Sequence, residues 1–138
     1  MSMKTLLRSI MLLVSAALVT TALATSPPAS FGQLVDNLDK RKNTKLHSKE
    51  YWKNVKGTEV TWNGEVVDVD SSGSKAKIYV ADKSRPLYKG YNIVVVTGDV
   101  AKASTVKKGQ KLRFKGLLYD YDQKDAGAVV EIKEATIL

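Results

Sequence analysis

The stretch Val60-Thr61-Trp62-Asn63-Gly64-Glu65-Val66-Val67-Asp68-Val69 decides the fold of this chain. Apolar residues alternate up to Val66, as in a half-buried strand, and the alternation then slips so that Val67 and Val69 carry the apolar positions. A slip of one residue moves the apolar set to the other face of a strand. Gly64, which has no Cβ, permits a bulge or a sharp bend there. We therefore predict one long strand that bends near Gly64 and serves both sheets of a small barrel.

The segments that follow this strand also alternate with the period of a strand, with one helical turn between them. We predict strands at Glu59–Val69, Lys75–Val80, Tyr91–Thr97, Lys111–Tyr121 and Ala128–Leu138, and a helical turn at Asp99–Val106. Three strands, a short helix and two strands, with a bent first strand, is the order of the five-stranded Greek-key barrel called the OB-fold. The predicted core consists of Trp62, Val66, Ile78, Val80, Ile93, Val95, Leu112, Phe114 and Ile132.

Residues 25–56 precede the predicted barrel, which spans residues 57–138, and form a leader followed by two short helices. Ser30 is a suitable N-cap for the first helix and Ser48 for the second. Both helices carry an apolar stripe, which we expect to pack against the barrel. The stripes are Phe31, Leu34, Val35 and Leu38 in the first helix, and Tyr51, Trp52 and Val55 in the second.

Residues 1–24 have the pattern of a secretory signal peptide. Lys4 and Arg8 precede an apolar run, and small residues end it at Ala24, after which we predict cleavage. The run is short for a membrane span, and the chain has no cysteine that could carry a lipid. The net charge of +8 would fall to +6 once Lys4 and Arg8 are removed. We therefore predict a periplasmic or secreted protein without stable membrane insertion.

Two segments resemble a known family. Lys56–Val66 is similar to the opening strand, and Lys107–Leu117 to the fourth strand, of a bacterial OB-fold family called anticodon-binding-like (tRNA_anti-like). The resemblance covers residues 51–138. It implies a binding module, and many members of that family are exported proteins of no assigned activity.

Catalytic constellations are sparse in this sequence. His47 is the only histidine, and the chain has neither a cysteine nor a G-x-S-x-G elbow, so no nucleophile and base are paired. A secreted nuclease on an OB barrel is the enzymatic alternative, but it needs paired arginines for the phosphate. Arg41, Arg85 and Arg113 fall in three separate predicted elements. We therefore predict a non-enzymatic protein without a cofactor.

Two acidic turns are the only candidates for a metal site. Residues 68–73 match the first half of an EF-hand loop, but position twelve is Tyr79 instead of glutamate and the flanking elements are strands. A hairpin turn is therefore the preferred interpretation. We therefore predict no metal site. If a cation did bind, its candidate ligands would be Asp68, Asp70, Asp120 and Asp122, because the topology brings the two turns near one another.

The segment Lys83–Tyr91 interleaves basic and aromatic residues, a pattern that favours contacts with phosphates and bases. The loops with which OB-folds clamp ligands, however, hold five aspartates against Lys75 and Lys124. The scattered lysines elsewhere indicate a solvated surface. We predict an exported binding module for an unknown ligand or protein partner, with single-stranded nucleic-acid binding through this loop as the alternative. The candidate contact residues are Tyr79, Arg85, Tyr88, Lys89, Tyr91, Tyr119 and Tyr121.

Overall fold

The computed structural model describes residues 30–138, and the predicted signal peptide lies outside the described residues. Five strands form a closed barrel in the order β1-β2-β3-β5-β4, in which β3 and β5 are parallel and the other pairs antiparallel. The predicted five-stranded barrel with a short helix between its third and fourth strands is confirmed. The elements are α1 (Phe31–Leu38), α2 (Lys45–Val55), β1 (Glu59–Ser72), β2 (Lys75–Ala81), β3 (Ile93–Thr97), α3 (Val100–Ala103), β4 (Lys111–Gln123) and β5 (Ala128–Ile137).

Strand β1 is shared between two partners, as its slipped alternation predicts. It pairs with β4 from Glu59 to Glu65 and with β2 from Glu65 to Ser72. The bulge lies at Val67, between register positions 66 and 68, and not at Gly64. Gly64 has another role, because a Cβ there would lie 2.5 Å from a methyl group of Val80 on β2. The glycine permits the close crossing of the two strands, and the bulge turns the chain just beyond it.

A second glycine, on β4, allows another close crossing of two strands. A Cβ on Gly116 would lie 2.5 Å from the Cγ2 atom of Ile132, so only glycine allows β4 to cross β5 so closely. The register between the strands shifts at this point, and Glu134 on β5 adopts a φ of 51°. Gly64 and Gly116 therefore allow the strands of this small barrel to cross closely at two points.

The barrel interior follows the predicted core closely. Eight of the nine predicted residues are buried, and Phe114 at the centre is fully inaccessible. Burial of each large side chain contributes about 1.5–3 kcal/mol. Trp62 is the exception and is only partly buried. It lies at one end of the barrel, where its ring packs edge-on against Phe31 of α1 at a centroid distance of 5.2 Å.

Helices α1 and α2 start at polar caps. Ser30 and Gln33 form a reciprocal capping box at α1, which confirms the predicted cap. Helix α2, however, begins earlier than predicted, because the side chain of Thr44 accepts the backbone N–H of His47 at 3.1 Å. Ser48 therefore lies inside the helix, where it is buried and donates its hydroxyl to the carbonyl of Asn37 at 3.0 Å.

The two helices together form a cap, here called the helical cap (residues 31–55), over one end of the barrel. Beyond the contact of Phe31 with β1, the ring of Trp52 lies 4.9 Å from that of Tyr121 on β4. The carbonyl of Leu38 accepts a hydrogen bond from Gln123 at 2.8 Å. The cap thus contacts β1 at Trp62 and, at Tyr121 and Gln123, the part of β4 that pairs with β5, so the cap and the barrel share one hydrophobic core. Among the helices that the structure describes, none is long and apolar enough to cross a membrane.

Candidate functional site

The loop between β2 and β3 is organised around one buried amide. The side chain of Asn92 is inaccessible, accepts the backbone N–H of Asp82 at 2.8 Å and donates to the carbonyl of the same residue at 2.8 Å. It also donates to the carbonyl of Pro86 at 3.3 Å. The amide of Asn92 therefore forms hydrogen bonds with backbone groups of the loop around it. These bonds fix the position of the loop.

The end of this loop is a two-residue hairpin. Tyr88 and Tyr91 exchange both backbone hydrogen bonds, at 2.7 and 3.1 Å, and Lys89 and Gly90 form the turn. Their φ angles are 50° and 89°, the left-handed conformation that such turns require at both positions. Glycine adopts it freely, but a lysine there is strained by about 1 kcal/mol. The hairpin therefore holds an exposed lysine at its tip in an unfavourable backbone conformation. The third strand, predicted to begin at Tyr91, begins at Ile93 because Tyr91 belongs to this hairpin.

Three tyrosine rings pack together beneath this tip. The rings of Tyr79 and Tyr91 lie 4.9 Å apart and those of Tyr88 and Tyr91 lie 6.0 Å apart, both edge to face. The ammonium groups of Lys124 and Lys89 lie 4.0 and 5.3 Å from the centroid of Tyr88. We call these five residues the tyrosine surface. It unites four of the seven predicted contact residues and adds Lys124, which sequence spacing alone did not connect to them.

Arg85 lies in the same loop but points away from the tyrosine surface. Its guanidinium donates two hydrogen bonds to the carboxylate of Asp36 on α1, both at 2.9 Å. Gly32 leaves room for it, since a Cβ there would lie 2.8 Å from the guanidinium. The hydrogen bond from Arg85 lowers the pKa of Asp36. Arg85 therefore fastens the loop to the helical cap.

The two remaining predicted contact residues lie elsewhere. Tyr121 packs against Trp52 and supports the helical cap. Tyr119 is 41% exposed on the outer face of β4, and its ring lies 4.6 Å from the ammonium group of Lys133 and 5.9 Å from that of Lys56. The structure thus divides the predicted contact set among three places.

Carboxylates surround the tyrosine surface. Strand register places Asp68, Tyr79, Val94, Glu131 and Asp120 in one row across four strand pairs. A pocket of about 130 Å³ lies on this row, lined in part by Val94, Asp120 and Glu131. Lys124, which reaches from this side to Tyr88, is itself paired with Asp122 at 2.6 Å. The sign of the charge here is therefore mixed, with a surplus of carboxylates.

The four aspartates considered as metal ligands form no ligand group. Within residues 30–138, no three histidine, aspartate or glutamate side chains converge on one point. Asp68, Asp70 and Asp120 each accept the backbone N–H of the following residue, at 2.9, 2.8 and 2.8 Å. These carboxylates therefore stabilise their own turns and strand ends.

A second charged surface lies on the outer face of β4. Lys111, Arg113 and Lys115 point outward at alternate positions, while the residues between them are buried. Farther along the strand lies Tyr119, with the two lysines described above near its ring. We call Lys56, Lys111, Arg113, Lys115, Lys133 and Tyr119 the basic stripe. The scattered lysines of the sequence indicate a solvated surface, but the K-x-R-x-K alternation within a strand is the signal that could have revealed the stripe.

The basic stripe ends at a groove. A cavity of about 400 Å³ opens where β1 leaves β4 to pair with β2, and Gly64, Lys83, Lys111 and Arg113 line part of it. The ammonium group of Lys83 pairs with Glu65 at 3.1 Å across this region. The place where β1 changes its partner from β4 to β2 therefore also forms this groove on the surface of the barrel.

His47 joins the two helices of the cap. Its Nε2 atom lies 3.0 Å from the side-chain oxygen of Asn37, and its ring stacks on Tyr51 with a 7° angle between planes. This position on the helical cap supports a structural role for the histidine.

Comparisons with known proteins extend the description of the fold. No protein-family model and no curated protein sequence matches this chain, so the resemblance to the anticodon-binding-like family stays a prediction. A lipoprotein of Klebsiella pneumoniae subsp. pneumoniae, for which nucleic acid binding is itself only proposed, is similar in structure. It has a TM-score of 0.52 and 12% identity over 86% of this chain and 96% of that one.

A more distant similarity involves asparaginyl-tRNA synthetase from Pyrococcus horikoshii. Its TM-score is 0.44 and its identity 16% over 62% of this chain, and the matched part is 20% of the synthetase. The chain thus spans about a fifth of the length of that enzyme. At 12% identity the similarity to the lipoprotein shows a shared fold and nothing about a shared ligand.

Proposed function

We propose that this chain is an exported, non-enzymatic binding module that engages a protein partner through the tyrosine surface. The observation that carries this proposal is the hairpin tip, where Lys89 is held at a φ of 50° above packed tyrosine rings. Strained residues persist where the surrounding structure determines them, and they cluster at functional sites. Asparagine or glycine would relieve the strain at this position, so a lysine there indicates a use for its side chain.

A protein partner fits this surface better than a small molecule does. The pocket beside the tyrosines has a volume of about 130 Å³. Small-molecule sites are typically about 300–1,000 Å³ and enclose most of their ligand. Tyrosine, in contrast, is enriched in protein interfaces, because it offers a large contact area and loses little conformational entropy.

The charge around the tyrosines supports the same choice over nucleic acid. A phosphate chain laid on Tyr79 would meet Asp68 and Glu131 in the same strand row. Arg85, the residue best suited to grip a phosphate, is engaged by Asp36. The loop at residues 83–91 is therefore less suited to single-stranded nucleic acid than its composition predicts.

Export and the absence of catalysis are parts of the proposal with separate tests. The structural neighbour is a lipoprotein, and the pattern of residues 1–24 favours export. Mass spectrometry of fractionated bacterial cells should find the protein in the periplasm as a chain that starts at Thr25. Recovery only from the cytoplasm, with Met1 retained, would contradict export. Incubation with RNA and DNA, with Mg²⁺ or Ca²⁺, should release no nucleotides, and magnesium-dependent release would establish a nuclease.

Partner capture tests the tyrosine surface directly. The chain immobilised as bait should retain a partner from periplasmic extract, and a Tyr88→Ala/Tyr91→Ala variant should lose it. Tyr119→Ala is the matched control, since it removes an exposed tyrosine that does not contact the tyrosine surface, and it should retain the partner. Equal retention by all three proteins would contradict the assignment. Unfolding of the double variant, monitored by circular dichroism, would instead show that the rings belong to the core.

A further inference from the structure

The basic stripe is a surface that the proposed function leaves without a role. We propose that it binds single-stranded nucleic acid, with phosphates along Lys111, Arg113 and Lys115 and a base on Tyr119. The site is distinct from the tyrosine surface and lies on the outer face of β4. OB-folds usually place their ligands on strands 2 and 3 and between the loops that join strands 1–2 and 4–5.

The spacing of the three cations fits an extended phosphate chain. They occupy alternate positions of one strand, with their side chains on the same side. Alternate residues of a strand are about 6.8 Å apart. This is close to the separation of successive phosphates in an extended single strand, so one chain running along β4 can meet each cation in turn.

The cations of the stripe are available for an external anion. Among residues 30–138, none of Lys56, Lys111, Arg113, Lys115 and Lys133 forms an ion pair, whereas seven ion pairs occur elsewhere in that range. Residues 1–29 contain neither aspartate nor glutamate and therefore offer these cations no side-chain carboxylate.

Few acidic groups face the stripe. Glu59 pairs with Leu117 in the strand register, and Glu134 lies on the bulge of β5 opposite Gly116. Glu65, opposite Lys111, is engaged by Lys83. Five cations against two free carboxylates leave the stripe positive, so an approaching polyanion is attracted along it. In the adjoining groove Asp82 adds one further carboxylate.

The aromatic residue and the groove distinguish a nucleic-acid strand from a flat anionic surface. Tyr119 is 41% exposed at one end of the stripe, so a base can stack on it. The 400 Å³ groove, which Lys111 and Arg113 help to line, continues the stripe at its other end. A linear chain can follow the stripe into the groove, whereas a membrane surface cannot enter it.

Fluorescence anisotropy with a short labelled oligo(dT) at low salt tests the proposal. The variant Lys111→Gln/Arg113→Gln/Lys115→Gln should bind about tenfold or more weakly, and the dependence of log K on log salt should lose a slope of about 2. The matched control Lys49→Gln/Lys75→Gln/Lys77→Gln removes the same charge from other surfaces. It should change the affinity less than threefold. Circular dichroism should show that both variants are folded.

Two further arms identify the ligand chemistry. Tyr119→Ala should weaken oligo(dT) binding about tenfold through lost stacking, and Tyr119→Phe should retain it. Inorganic polyphosphate and vesicles of anionic phospholipid serve as competitors that carry phosphate without bases. The Tyr119 variants should bind each competitor with the same affinity as the wild type.

Several outcomes would overturn the proposal. Equal weakening by both charge variants would show a diffuse effect of net charge. Stronger weakening by Tyr88→Ala/Tyr91→Ala than by the stripe variant would place the strand on the tyrosine surface. Absence of oligo(dT) binding at low salt, or binding only to vesicles, would exclude single-stranded nucleic acid as the ligand. None of these results depends on whether a protein partner exists.

Discussion

The tyrosine surface and the basic stripe lie on different faces of one barrel and differ in how their cations are paired. At the tyrosine surface, Lys124 is paired with Asp122 and carboxylates occupy the same strand row. Along the stripe, Lys111, Arg113 and Lys115 form no ion pair within the described chain. The comparison teaches that a net charge of +8 says little by itself about where an anion binds. Pairing and strand register decide which face presents positive charge.

Removing the amide of Asn92 should break the tyrosine surface and spare the stripe. Asn92→Ala leaves the backbone N–H and carbonyl of Asp82 without their partner in a partly buried place. We expect the free energy of unfolding to fall by about 3 kcal/mol, measured by urea denaturation. Asn63→Ala, at an exposed position on β1, is the control and should stay within about 0.5 kcal/mol of the wild type. Loss of oligo(dT) binding by a still folded Asn92→Ala protein would argue against separate surfaces.

Gly64→Ala should destabilise the protein at the crossing of β1 and β2, beside the groove. The new Cβ would approach Val80 to 2.5 Å and the carbonyl oxygen of Ala81 to 2.8 Å, so the crossing of β1 and β2 must widen. Overpacking of this kind destabilises a protein by about 1–3 kcal/mol. Thermal unfolding measures the effect. Gly73→Ala, in an open turn where a Cβ meets no neighbour but φ is 61°, is the comparison and should cost about 1 kcal/mol through backbone strain alone. An equal loss in both variants would show that the close crossing is not tight.

Relieving the strain at the hairpin tip should separate stability from binding. Lys89→Asn places a residue that tolerates the left-handed conformation at a φ of 50°. We expect a gain of about 0.5–1 kcal/mol in the free energy of unfolding, by urea denaturation. Partner retention should weaken at the same time. A variant that is more stable and binds the partner as well as the wild type would remove the reason for proposing Lys89 as a contact residue.

Removing the bond between the loop and the helical cap should have the smallest effect on stability, and this effect should depend on pH. The bond from Arg85 lowers the pKa of Asp36 in the folded protein. Its contribution is therefore complete above the ordinary aspartate pKa of about 3.9 and is lost as the pH falls below that value. Asp36→Asn should remove this pH dependence. Hydrogen exchange of the amides at residues 82–92 measures it, and identical acid profiles of variant and wild type would contradict the attachment.

The sequence predicted the barrel well because its determinants are local and periodic. The slip of alternation after Val66 does correspond to a strand that changes partners, and the predicted alternate core positions of β2 and β4 are buried. The position of the bulge was wrong because a glycine can serve either a bulge or a close crossing. Which of these Gly64 serves depends on Val80, a residue of another strand.

The candidate site was less predictable because its members are brought together by loops. Nothing in the composition of the loop indicates that Arg85 turns toward Asp36, or that Asn92 holds the backbone around it. The basic stripe was missed for a different reason. Its alternation was visible, but the lack of carboxylate partners depends on pairing with β1 and β5, which only the folded chain defines.

A titration of the ¹⁵N-labelled protein with oligo(dT), followed by heteronuclear NMR, tests the separation of the two surfaces most directly. The amide shifts should change along β4 from Lys111 to Tyr119 and at Lys133, while the amides of Tyr79 and of the hairpin from Tyr88 to Tyr91 stay in place. Shifts concentrated at the hairpin, with β4 unchanged, would contradict the account.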